Sequence, residues 1–346
     1  MTKALVVTAA IVLIVAGIKA AEDIAVPFLL AAFLATIAST PVFWLHRAKI
    51  PIGIAIFVVV LILIGIMIGV GAIVAHSAAE FTAQLPHYEE RVAVFVNAFF
   101  KTLESHELTI SPEAINKVFN PAIALSFAGN TLLSFGNVLS NAFLILLTVI
   151  FILAEASSFP RKLGEVLRNP EHDLPHFVRF AATINRYMAI KTSVSVATGI
   201  IVTIFLSIIG VDFPILWGML AFMLNYVPTI GSVIAAVPAI LLATLQLGPA
   251  VAGIVATGYL ALNICMGNII EPRFMGRELG LSTLVVFLSL VFWGWMLGPV
   301  GMLLSVPLTM TAKIALETSP STAWIGHLLG PAEKASDKES LEVQSE

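Results

Sequence analysis

Long apolar runs separated by short polar connections fill most of the chain. Read as helices, they place membrane spans at about 4–19, 24–45, 51–76, 138–156, 187–210 and 249–267, since about 18 apolar residues suffice to cross the roughly 30 Å hydrocarbon core of a bilayer. Two further apolar stretches, 213–247 and 281–315, are longer than one straight span and are broken near their middle by proline and glycine, at 225–231 and 294–301. In hydrocarbon each unpaired backbone amide costs several kcal/mol, so a broken helix persists only where protein buries it or it lines a polar cavity. Each stretch is either one long kinked span or a re-entrant hairpin. The pattern predicts an all-α membrane protein, a polytopic helical bundle of about eight spans, two of them broken or re-entrant, with a small helical extracytoplasmic region.

That region is 77–137, where Glu80, Glu89, Glu90, Glu104, Glu107 and Glu113 outnumber Arg91, Lys101 and Lys117. Val92, Phe95, Val96, Phe99 and Phe100 recur at helical spacing, and Ser111-Pro112-Glu113 reads as a helix start. Lysine and arginine concentrate in short cytoplasmic loops, so Arg47 and Lys49, and later Arg161, Lys162, Arg168 and Arg179, place those loops inside. Both termini are then cytoplasmic. The chain divides into a three-span region at 1–76, the extracytoplasmic helices at 77–137, a fourth span and cytoplasmic loop at 138–186, a core with both broken segments at 187–317, and a disordered cytoplasmic tail at 318–346. The first run is read as a span and not a cleaved leader, because a second span follows closely and Ile18-Lys19-Ala20 is a poor cleavage site.

Composition agrees with membrane embedding: 59% of residues are hydrophobic and 11% charged, against roughly 25% charged in an ordinary soluble domain, and the mean hydropathy is +1.00. The net charge of −3 comes with no basic cluster interleaved with aromatics, so nucleic acid is not an expected partner. The single cysteine, Cys265, permits no internal disulfide and no cysteine metal cage, and reads as a small buried hydrophobe. The histidines lie in or near loops, and neither a metal nor a cofactor is expected. No G-x-x-x-x-G-K phosphate loop, HExxH pair or serine elbow is present, which argues against an enzyme or a nucleotide-driven pump.

The two broken segments share an order of landmarks: Trp217-Gly218 and Trp293-Gly294, then Pro228 and Gly231 against Pro299 and Gly301, then Pro238 and Pro307. If both are hairpins, 187–247 and 249–315 form an inverted-topology repeat, the arrangement in which one unit moves against the other around a site near the bilayer midplane. This points to membrane transport driven by gradients. Polar residues in apolar surroundings are then the candidate site. Asn225, Tyr226, Pro228, Thr229, Gly231 and Ser232 surround the first break, and Asn263, Asn268 and Glu271 end the following span; they either bind a solute or ion, or merely cap broken helix ends. Pro272, Gly276, Gly298, Pro299 and Gly301 are candidate hinges or gates. Glu271 is a candidate proton carrier or pairs at the interface with Arg273 or Arg277. Asp212 is either an N-cap or a second coupling carboxylate, and Lys191 either snorkels to the interface or faces an internal carboxylate or anion. Gly65-x-x-x-Gly69 is a candidate close-packing face between helices or subunits.

Several strings are similar in combination to the autoinducer-2 exporter family: Tyr187-x3-Lys191-x3-Ser195-x3-Gly199, Gly210-Val211-Asp212-Phe213, Asn225-Tyr226-Val227-Pro228-Thr229-Ile230-Gly231-Ser232, Asn268-x2-Glu271-Pro272-Arg273-x-Met275-Gly276, and Gly298-Pro299-x-Gly301 through Val306-Pro307. The resemblance covers about 187–308, with the N-terminal part matching in layout only. It implies a multi-spanning bacterial inner-membrane protein, homo-oligomers, with pentamers as one form, and either export of the furanone signal autoinducer-2 or sodium or lithium/proton antiport. Asn225, Pro228, Gly231, Asn268, Glu271, Pro272 and Gly276 fall on the family pattern. The expected partners are a small solute or monovalent cation, lipid and further copies of the chain. Three readings follow from the sequence: an exporter of a small polar solute, a cation/proton antiporter using Glu271, and a non-transporting scaffold whose acidic helices bind a partner.

Overall fold

The computed structural model describes residues 2–104, 141–156, 158–166, 170–228, 230–275, 280–318 and 322–330. Among these, all regular structure is helical. Helices α1 (Thr2–Ala20) and α2 (Glu22–Arg47) form a pair joined by a tight turn, and α3 (Ile52–Glu104) follows. Then come α4 (Ala142–Ala156), α5 (Phe159–Val166) and α6 (Pro170–Ile209). The first broken segment folds as α7 (Pro214–Leu224) and α8 (Gly231–Leu247). Helix α9 (Pro249–Asn263) runs into a π-helix (Ile264–Ile270) and α10 (Glu271–Met275), and α11 (Thr283–Thr318) and α12 (Ala323–Leu328) complete the chain.

Among the described residues, five helices are long and apolar enough to cross a membrane: Glu22–Arg47, Ile52–Ser77, Ala181–Ile209, Pro249–Phe274 and Thr283–Thr318. Large apolar side chains stand outward on them and their neighbours, Ile208 at 81% exposed and Phe143 at 79%. Water would penalise such surface at about 25 cal/mol per Å², and lipid does not. Cys265 belongs to this outward surface and not to the core as expected from the sequence. Among the described residues, nothing comes within 4 Å of where a Cβ at Gly65 or Gly69 would sit.

Both broken segments are hairpins. In the first, the backbone N–H of Asp212 donates to Gln246 Oε1 at 2.9 Å and Gln246 Nε2 donates to the Gly210 carbonyl at 3.0 Å, so the ends of α7 and α8 meet. In the second, Trp293 Nε1 donates to Thr309 Oγ1 at 2.9 Å. Sixteen residues of unbroken helix would separate that pair by about 24 Å. The fold-back occurs at Gly298, whose φ of 63° and ψ of −150° interrupt α11. After each tip a glycine lets the arms touch: a Cβ on Gly231 would strike the Leu224 carbonyl, and one on Gly301 the Trp293 carbonyl. The arms of the first hairpin, 11 and 17 residues, reach about 17 and 26 Å at 1.5 Å per residue, short of a full crossing.

The hairpins point in opposite directions. The open end of the first lies at Gly210 and Gln246, on the side reached by the far end of the Ile52–Ser77 span of α3, whose Ile73 shares a groove with Thr203 and Ile215. Helix α2 returns from that side at Glu22, and the tip of the second hairpin sits there, with the Gly298 Cβ position 3.5 Å from Glu22 Oε1. One apolar cluster joins the three parts: Phe33 of α2, Tyr187 and Met188 of α6, Tyr226 of the first tip, and Leu304, Val306 and Met310 of the second hairpin.

Helix α3 continues without a break to Glu104, past the expected end of the third span at 76; the expected helix start at Ser111 lies outside the described residues. The segment expected to be a disordered tail from 318 opens instead with α12, anchored by the Ser282 N–H donating to the Leu329 carbonyl at 3.0 Å.

Candidate functional site

Helix α6 presents Tyr187, Lys191, Ser195 and Gly199 at four-residue intervals, and all four are buried. Residues four apart lie on one helix face, so this line forms a small polar seam inside an apolar bundle. Lys191 Nζ meets Glu271 Oε1 at 2.6 Å, with the side chains 5% and 17% exposed. Lys191 therefore does not snorkel, and Glu271 pairs across the bundle and not with Arg273, which is exposed. A buried charge is tolerated only when paired and hydrogen-bonded, because taking it from water costs several kcal/mol. The pair joins α6 to α10, and the π-helix immediately before Glu271 sets the direction in which that carboxylate faces. A π-helix inside an α-helix often marks such positions.

Within about one turn beyond Lys191 on α6, the first hairpin tip is tied to the same stretch of helix. Asn225 Nδ2 donates to Ser195 Oγ at 2.9 Å, and Tyr226 Oη donates to Thr192 Oγ1 at 2.8 Å. Phe33 and Phe222 pack edge-on against the Tyr226 ring, at 5.4 and 5.8 Å between centroids. Close helix approach makes this possible: a Cβ on Gly199 would come within 2.8 Å of the Gly218 carbonyl. Asn225 and Tyr226 thus fasten the tip to α6, where the sequence alone left open whether they bind or cap. Pro228 and Ser232 are half-buried, Gly231 is buried, and Thr229 lies outside the described residues.

The remaining candidates separate. Asn263 is half-buried at the end of α9, whereas Asn268 and Pro272 are exposed, and Gly276 and Arg277 lie outside the described residues. Asp212 is not the N-cap of α7: Phe213 holds that position with φ 59° and no side-chain cap. Nor does it stand beside Glu271. Lys191 lies 18 residues before the end of α6, about 27 Å from the Asp212 end at the helical rise. At the second hairpin, Pro299 is exposed and Gly301 buried.

The second tip has polar company that the sequence reading missed. Lys19 Nζ pairs with Glu22 Oε2 at 2.6 Å and donates to the Trp295 carbonyl at 3.0 Å. The signal was present, since Lys19, Glu22 and Asp23 flank the turn between two apolar runs. Among the described residues no group of three histidine, cysteine or acidic side chains is placed to hold a metal ion. Hydroxyls, a carboxamide and one neutralised ion pair make a site suited to hydrogen bonding and proton or cation exchange.

The AI-2E family transporter model matches residues 8–321. A Haemophilus influenzae protein named for transport in general is 44% identical over 334 residues, covering 94% of this chain and 95% of that protein. The AI-2 transport protein TqsA of Escherichia coli K12 is 39% identical over 324 residues, covering 94% of each, and YhhT of the same organism is 38% identical over 323 residues, covering 93% of each. The match extends through the N-terminal spans, beyond the strings that first suggested it, and sets aside an enzyme or a passive scaffold. The chain belongs to the AI-2E family of multi-pass membrane transporters.

Proposed function

We propose that this protein is a gradient-driven secondary transporter that exports a small polar solute across the bacterial cytoplasmic membrane by alternating access. The observation that carries this reading is the pair of oppositely directed hairpins, one of them fastened by Asn225 and Tyr226 to the stretch of α6 that holds the Lys191–Glu271 pair. Oppositely directed broken elements on either side of a polar seam allow one barrier to open while the other stays shut. Asn225–Ser195 and Tyr226–Thr192 close the first tip, and Lys19 closes the second. Arg47, Lys49, Arg161 and Lys162 support a cytoplasmic α2–α3 connection and cytoplasmic termini. Autoinducer-2 is the first solute to test, because TqsA carries that name. Purified protein in liposomes, given labelled autoinducer-2 and an imposed proton or sodium gradient, accumulates or releases label at a rate that follows the gradient. No flux with any gradient removes this reading.

The Lys191–Glu271 pair favours a second reading, cation/proton antiport, because a monovalent cation can replace the ammonium and release a proton from it. Sodium- or lithium-driven proton movement in the same liposomes, lost in Glu271→Gln with the fold retained, supports it.

A further inference from the structure

Tyr259 is buried in the core between α6, α8 and α9, 6% exposed, and its hydroxyl has no hydrogen-bond partner among the described residues. Leaving a buried hydroxyl unpaired costs about 1–3 kcal/mol, and no bulk water reaches the interior of a bilayer to relieve it. Phenylalanine would fill the same space without that cost.

Its position on the helix is informative. Tyr259, Asn263, Gly267 and Glu271 follow at four-residue intervals. In a continuous α-helix, with 3.6 residues per turn, such a line drifts steadily around the axis. The π-helix over Ile264–Ile270 takes more residues per turn and turns the drift back, so the four positions stay close to one line. Opposite stands the α6 face that carries Lys191 and Phe205, while Ser195, Gly199 and Thr203 turn to α7, where Asn225 and Gly218 meet them. The two helices are antiparallel and in register: Lys191 pairs with Glu271 at one end, and Phe205 packs where a Cβ on Gly258 would stand at the other. Across the turn at Gly248, Ser232 of α8 comes level with the end of α9 near Asn263, and both are half-buried.

We propose that Tyr259 is a solute-binding residue: its unpartnered hydroxyl marks the far end of a polar track, about 18 Å long at the helical rise, that runs between α6 and α9 from Glu271 past Asn263. The inference rests on the transport reading above and adds to it a solute class, a small molecule with hydroxyl or carbonyl groups that exchanges hydrogen bonds with Tyr259, Asn263 and Ser232 in turn.

Two measurements on the full-length protein test this. In liposomes with labelled autoinducer-2, Tyr259→Phe raises KM by about three- to tenfold, the worth of one hydrogen bond, with little change in maximal rate and a thermal midpoint equal to or above that of the unchanged protein. Flux with an unchanged KM overturns the assignment. The second measurement needs no solute: Tyr259→Cys, on a Cys265→Ser background, reacts in membrane vesicles with a small water-soluble thiol reagent, while Val255→Cys one turn away in the apolar core does not. If Tyr259→Cys stays unreactive from both faces, or reacts no faster than Val255→Cys, the track is wrong even where flux is observed. If the unchanged protein shows no flux, the transport reading falls and the labelling result alone decides the track.

Discussion

Lys191 Nζ and Glu271 Oε1 stand 2.6 Å apart although 80 residues separate them in the chain. Their ion pair closes the α6–α10 junction, and removing one partner leaves the other charged and buried. Lys191→Met and Glu271→Met each lose about 3–5 kcal/mol, whereas the two together recover most of that loss. Thermal unfolding in detergent, arranged as a double-mutant cycle, measures the coupling; additive losses would show that the two side chains do not interact.

Gly298 holds φ 63° and ψ −150°, a conformation that side chains disfavour. Gly298→Ala costs about 1–3 kcal/mol and slows transport by deforming the second tip. Gly53→Ala, at a position with open space around it, leaves both unchanged, and flux assays on the two variants compare them directly.

The glycines after the two tips make the same kind of contact in the two hairpins, with the carbonyl of Leu224 for Gly231 and that of Trp293 for Gly301. Gly231→Ala and Gly301→Ala therefore destabilise by comparable amounts, about 1–3 kcal/mol each, through the forced separation of arms. A large loss at one with none at the other would show that the hairpins are not equivalent in construction.

Two hairpins fix which loops share a face. Arg273→Cys, on a Cys265→Ser background, is labelled by an impermeant thiol reagent from the side that also reaches a cysteine at Lys49, and Leu247→Cys from the opposite side. Labelling of Leu247→Cys from the Lys49 side, with Arg273→Cys labelled from the other, contradicts the fold-back at Gly210 and Gln246.

The helices and both breaks were legible because hydrocarbon permits few alternatives: apolar runs must be helical, and proline with glycine must interrupt them. Whether each break was a kink or a hairpin was not legible, since that depends on contacts such as Trp293 to Thr309 that no local pattern encodes. Glu271 was visible as an isolated carboxylate, but its partner was not, because Lys191 lies near a span end where snorkelling explains a lysine equally well. The ties of Asn225 and Tyr226 to Ser195 and Thr192 were not legible for a similar reason, because they join parts of the chain about 30 residues apart. Tyr259 gave no sequence signal at all. A tyrosine in an apolar run looks like packing until its hydroxyl is seen to lack a partner.

Helix α3 is 53 residues long, about 80 Å at the helical rise, and Arg91 near its far end donates to the carbonyls of Leu245 and Gln246 at the open end of the first hairpin. Arg91 is 39 residues beyond Ile52, about 59 Å, so a rigid tilt of about 5° about Ile52 would sweep its tether point through about 5 Å, more than a hydrogen bond can follow. Under such a tilt the first hairpin would ride with the helix or part from it at Arg91.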